Sequence, residues 1–164
     1  MSEWEERVAA FWQSADDSKI DETLAGMKSL VEELDPTNPI GLFELASVHD
    51  FLGLEPEAIP IYKQAMHSGL AGVEREKAVI QLASSLRKVG KPDEAAALLE
   101  STTFSVETET AAKAFLALAH LDAGNASKAL SIALLELYPT GGPYERSIKL
   151  YATDLIEREK HNLA

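Results

Sequence analysis

The chain has 164 residues, with 15 Lys+Arg against 27 Asp+Glu for a formal charge of −12, and it contains no cysteine. A chain this long is expected to form one domain, burying about 70% of its unfolded surface; its charge repels nucleic acid and anionic membrane, and the absence of thiols removes disulfides, thiolate zinc sites and thiol catalysis. The opening segment, MSEWEERVAA, is acidic where a secretory signal is basic and then apolar, and no run approaches about 18 apolar residues, so the expectation is a soluble, cytoplasmic protein.

Apolar residues recur at spacings of three and four along the chain, as in Leu42, Leu45, Val48 and Leu52, and no stretch alternates strictly between apolar and polar. The pattern predicts an all-α protein. Ser2 and Glu5 have capping-box spacing and open a first helix to about Gln13; Ser18 and Asp21 open a second that reaches Leu34 and stops at Asp35-Pro36. Asn38-Pro39 is a cap followed by a first-turn proline. Helices are then predicted in pairs, over 39–52 with 55–68, 73–89 with 92–103, and 108–123 with 126–137. Gly141-Gly142-Pro143 breaks the chain before a last helix over 143–160.

Three landmarks mark these pairs as one unit repeated. A Leu-Ala dipeptide stands at Leu45-Ala46, Leu82-Ala83 and Leu116-Ala117; a turn glycine at Gly53, Gly90 and Gly124; a small residue opens the second helix at Ala58, Ala95 and Ala129. Each landmark steps by 37 and then by 34 residues, a shared register that chance likeness between amphipathic helices would not produce. The linker Gly69-Leu70-Ala71-Gly72 accommodates the three extra residues of the first step. Ala46 facing Ala58, and Ala83 facing Ala95, let the helices of a pair cross closely, and each glycine supplies a left-handed helix ending.

A 34-residue helix-turn-helix carrying Leu42, Leu45-Ala46, His49 in an aromatic's place, Ala58, Tyr62 and Ala65 resembles the tetratricopeptide repeat. The second repeat keeps Leu82-Ala83, Ala95 and Leu99; the third keeps Leu116-Ala117 and Ala129 but has Ala133 where a large residue is usual. The stretch FELASVHDFLGLEPEAIPIYKQAMHSGLAG, followed by IQLASSLRKVGKPDEAAALL, is similar to the small bacterial proteins grouped as tetratricopeptide repeat group 5. The resemblance implies an all-α, right-handed α-α superhelix of about nine antiparallel helices. Residues 1–164 then form one domain: a degenerate helix pair over 1–36, repeats over 39–70, 73–106 and 108–140, and a capping helix over 143–160. The family implies a protein-binding scaffold, and the group-5 proteins imply no defined reaction.

The residues themselves offer little chemistry. The histidines are His49, His67, His120 and His161. His49 and His120 hold equivalent places in the first and third repeats, about 20 Å apart at roughly 10 Å per helix layer, too far to share a metal. His49 and Asp50 are consecutive on a helix and point about 100° apart, so they form no dyad. Neither Gly69-x-x-Gly72 nor Gly141-Gly142 has the strand, lysine and spacing of a phosphate loop. The acidic clusters Glu3-x-Glu5-Glu6, Asp16-Asp17 and Glu32-Glu33 read as solvated faces or caps. No nucleophile, base and oxyanion set can be assembled, so no enzyme, no metal and no cofactor are expected.

Two surfaces are candidates for binding. The inner, concave face is lined by the first helix of each pair, and the register sets Phe43, Ser47, Asp50 and Phe51 beside Lys77, Ile80, Ser84, Arg87 and Lys88, then Ala114, Leu118, Leu121 and Asp122. Lys77, Arg87 and Lys88 on one face of so acidic a chain suit an acidic or C-terminal peptide, while Asp50 and Arg87 also have the spacing of an inter-repeat ion pair. The family's carboxylate clamp is not matched, since Phe43, Ser47, Ala111 and Phe115 stand where clamp residues would be. The second surface is terminal: Trp4 and Trp12 share a face with Val8 and Phe11, and Tyr144, Ile148, Tyr151 and Leu155 form a stripe on the last helix. Each either covers an end of the solenoid or makes a homodimer contact. The leading expectation is a non-enzymatic scaffold that holds a peptide or partner helix in the concave groove; the alternative is a structural homodimer joined by its terminal helices.

Overall fold

A computed structural model describes residues 2–138 and 140–162, with side chains placed as far as Glu157, so the side chain of His161 lies outside the described residues. Among the described residues there are nine α-helices and no strand: α1 (Glu3–Ser14), α2 (Ile20–Val31), α3 (Pro39–Phe51), α4 (Glu55–His67), α5 (Gly72–Lys88), α6 (Pro92–Glu100), α7 (Glu109–Asp122), α8 (Ala126–Leu137) and α9 (Glu145–Asn162). The fold is the all-α repeat array anticipated from the register.

The boundaries have local causes. Ser2 Oγ accepts the Glu5 N–H at 3.2 Å while the Glu5 carboxylate accepts the Ser2 N–H at 2.5 Å, completing the capping box. Asn38 Oδ1 accepts from the N–H groups of Ile40 and Gly41. The second helix departs from expectation at both ends. Asp16 captures Ser18, accepting its N–H at 3.0 Å and its hydroxyl at 2.6 Å, so Lys19 becomes the N-cap and brings no side-chain bond. The helix ends at Val31, and residues 32–34 form a turn and a bend. Helix α6 likewise stops at Glu100, short of 103.

The three landmark glycines behave alike. Gly53, Gly90 and Gly124 have φ of +73°, +78° and +83°, and the following N–H reaches back five residues in each case, Leu54 to His49, Lys91 to Leu86 and Asn125 to His120. These are three copies of one Schellman ending, and the left-handed residue is glycine because a Cβ would be strained there.

Each helix packs on the next from α1 to α9; α3 also touches α5, and α5 touches α7. The second helices, α4, α6 and α8, do not touch one another. The first helices are therefore the tighter, inner layer of a curved two-layer array. The main core runs from α3 to α7, and within it Ala46, Ala58, Ala83 and Ala95 have no exposed surface, as close crossing requires. A smaller core joins α1 and α2 to α3 through Val8, Met27, Val48 and Leu52, with Trp4, Phe11 and Trp12 packed around it.

The far end is different. Helix α9 packs on α8 and not on α7. In the first two repeats the slot beside the pair receives the first helix of the next pair; after the third no described helix enters it, which leaves a groove of about 780 Å³ walled by Ala114, Leu118 and Leu121 of α7 and Leu130, Ala133 and Leu137 of α8. No helix among the described residues is long and apolar enough to cross a membrane.

Candidate functional site on the inner face

Where α1, α3 and α5 come together, the inner layer holds a cavity of about 360 Å³. Trp12, Phe43 and Phe51 give it aromatic walls, and Glu44, Ser47, Asp50 and Gln81 supply its polar groups. Five of these residues lie on α3 at spacings of three and four, which places them on one face of the helix. Trp12 is drawn across from α1: its Nε1–H donates to Glu44 Oε2 at 2.7 Å, and its ring meets Phe51 edge to face at 5.8 Å.

The polar floor is fixed from below. The Tyr62 hydroxyl donates to Gln81 Oε1 at 2.6 Å, and Ser47 Oγ lies 2.9 Å from the same oxygen. Burial pushes the Tyr62 phenol far above its ordinary value, with Asp50 and Glu44 adding to the shift, so this hydroxyl stays neutral and donates. Asp50 Oδ1 accepts from Ser85 Oγ at 2.8 Å. Burial also raises the carboxyls of Glu44 and Asp50; Trp12 and then Lys77 oppose this at Glu44, and Ser85 and then Lys88 oppose it at Asp50. Among the described residues neither carboxylate forms an ion pair.

The inner face read from the sequence is divided by the structure. Phe43, Ser47, Asp50 and Phe51 line the cavity, whereas Leu118 and Leu121 line the open groove beyond the third repeat. Ile80, expected on the open face, is buried in the core. Ser84 is half-buried and Lys77 is exposed. The expected Asp50–Arg87 ion pair does not form: Arg87 Nε reaches forward to Asp122 Oδ2 at 2.8 Å, and Asp50 is met by Ser85. Contacts from α3 to α5 join residues 34 and 35 apart (Ser47 to Gln81, Asp50 to Ser85), not the 37 of the landmarks, because the packed helices are not level with each other. Lys88 is held by Glu55 at 2.6 Å, which raises the lysine and lowers the glutamate. The face that looked basic in sequence therefore presents carboxylates to its cavity, with Arg87 and Lys88 engaged elsewhere.

Trp4 and Trp12, candidates for a homodimer contact, are engaged inside the chain, Trp4 donating its Nε1–H to Leu30 O at 2.8 Å. Tyr144 and Tyr151 stand exposed on the last segment. Glu44 and Gln81 are site residues that the sequence reading omits: Glu44, three before Ser47 on the same helix, carries a signal that could have found it, whereas Gln81 joins from α5 at an offset of 34 from Ser47, not the 37 that the landmarks give between these two repeats. His49 turns its Nδ1 to Leu45 O at 2.6 Å, and His120 sets Nε2 3.0 Å from Glu100 Oε1. No group of three or more potential ligands among the described residues could hold a metal ion.

A family model described as tetratrico peptide repeat matches residues 39–155. No curated protein and no solved structure matches the chain.

Proposed function

The chain belongs to the tetratricopeptide repeat family, and on that premise we propose that it is a scaffold that holds a peptide or partner helix against the inner face of its repeats. Repeats of this family generally mediate protein–protein interaction, and such all-helical scaffolds are typically non-enzymatic. The observation that carries the reading is the cavity between α1, α3 and α5: a concave site with aromatic walls and open polar acceptors is what anchors a single side chain of a partner. The charge of −12 disfavours nucleic acid and anionic membrane as that partner. Peptide-display selection on the wild-type chain tests the proposal, with the selected peptides then measured on Phe51→Ala, which removes one aromatic wall without adding charge, and on Leu130→Glu. Loss of binding on the first variant and retention on the second supports the inner face. The reverse outcome moves binding to the open groove beside α7 and α8, and indifference to both variants overturns the reading.

A further inference from the structure

We propose that the cavity between α1, α3 and α5 receives the cationic side chain of an arginine or lysine carried by the bound peptide. The inference rests on the inner face being the binding surface. A volume of about 360 Å³ lies near the lower end for ligand pockets, suited to one side chain and not to a large cofactor. Three of its lining residues are aromatic, the class of side chain that attracts a cation, and Trp12, the strongest of such partners, is pinned in place by Glu44.

The polar groups select the sign of the guest. Glu44 gives one carboxylate oxygen to Trp12, and Asp50 gives one to Ser85, which leaves the second oxygen of each. Both are partly buried. The cations that bear on them are Lys77 and Lys88, of which Lys77 forms no ion pair with Glu44 and Lys88 is held by Glu55, itself a further negative charge near Asp50. An anionic guest would meet two carboxylates, and an apolar one would desolvate them further without a partner. A guanidinium or ammonium group supplies the missing charge and donates to the free oxygens. This is the opposite of the acidic ligand that Lys77, Arg87 and Lys88 suggest in sequence.

The test is an NMR titration of the ¹⁵N-labelled chain with N-acetyl-arginine amide and N-acetyl-lysine amide, using N-acetyl-glutamate amide and N-acetyl-norleucine amide as anionic and neutral controls. The readout is the Trp12 indole N–H, told from that of Trp4 by a Trp4→Phe variant. A saturable shift with a cationic probe and none with the controls supports the proposal; response to one cation alone identifies the preferred side chain. Glu44→Gln and Asp50→Asn each keep an oxygen for Trp12 or Ser85, and each should weaken binding at least fivefold at unchanged helicity. About 0.5 M sodium chloride should weaken it severalfold in the wild type, where no variant is needed. An equal response to norleucine amide, or indifference to both substitutions and to salt, overturns the proposal. Displayed peptides that need Phe51 yet carry no arginine or lysine overturn this inference alone and leave the scaffold reading standing, whereas peptides indifferent to Phe51→Ala overturn that reading.

Discussion

The second and third repeats share a register and end differently. Ile80, Ala96 and Leu99 of the second are buried where α7 lies against the pair; their equivalents Ala114, Leu130 and Ala133, each 34 residues on, are exposed, because α9 turns onto α8 instead of entering the slot. In a solenoid, burial at a register position is decided by what the next pair does. The residues record this: the third repeat has a small side chain where the second has Leu99 and a large one where the second has Ala96. Such a pair of regions is a natural control for itself, since one substitution can be made in both.

The sharpest version places phenylalanine at the close crossing. Ala83 has no exposed surface, so Ala83→Phe should destabilise the chain by about 3 kcal/mol or unfold it. At the equivalent Ala117, half-buried on the wall of the open groove, the same change should cost less than about 1 kcal/mol. Urea midpoints of the two variants check the pair, and equal midpoints would show that the groove is filled in solution.

A smaller contrast exchanges the side chains. Leu99→Ala removes a core side chain and should cost about 2–5 kcal/mol, whereas Ala133→Leu, which has room in the groove, should change stability by no more than about 0.5 kcal/mol. Thermal melts would read both. Tyr62→Phe comes next: it removes the donor to Gln81 beneath the cavity and should cost about 1 kcal/mol, with a lowered urea midpoint.

The smallest effect is one of pH, at the seam between the two repeats. Glu76 of α5 accepts the N–H and hydroxyl of Ser105 and the hydroxyl of Thr108, and these bonds, that from Thr108 first, hold its carboxyl below the usual range. A lowered folded value means that this contribution is present above the unfolded glutamate pKa of about 4.3 and is lost as pH falls through the folded value. Glu44 and Asp50 have the opposite sign: the folded chain binds their protons more readily, so acid removes no stability there. Glu76→Gln should therefore lower the melting temperature near neutrality and make its fall between about pH 6 and pH 3 shallower than in the wild type. An unchanged slope would remove Glu76 from the seam's acid sensitivity.

Much of the array is legible in the residues because its devices are local. The capping box, the Asn38 cap and the three glycine endings are each complete within six residues, and all form. What is not legible depends on competition or on distance. Ser18–Asp21 has the spacing of a cap, yet Asp16 is nearer to Ser18 and takes it. Phe43, Ser47, Asp50 and Phe51 were placed together because one helix carries them; Trp12 and Gln81 join them from helices whose relative height no spacing encodes. Arg87 selected Asp122 over Asp50 for the same reason, and that choice changes the electrostatic character of the site. The direction of α9 is set in the turn before it, where Gly141 has φ +88°, the Tyr138 hydroxyl accepts the Tyr144 N–H at 3.0 Å, and a Cβ on Gly142 would strike the Tyr138 ring.

That turn gives the repeat array two unlike ends. Among the described residues the tryptophans of α1 pack into the small core with α2 and α3, while the third repeat ends on a groove that no described helix enters. A further helical pair placed in that groove would continue the register of the pairs before it and leave the aromatic cavity, two repeats away, untouched.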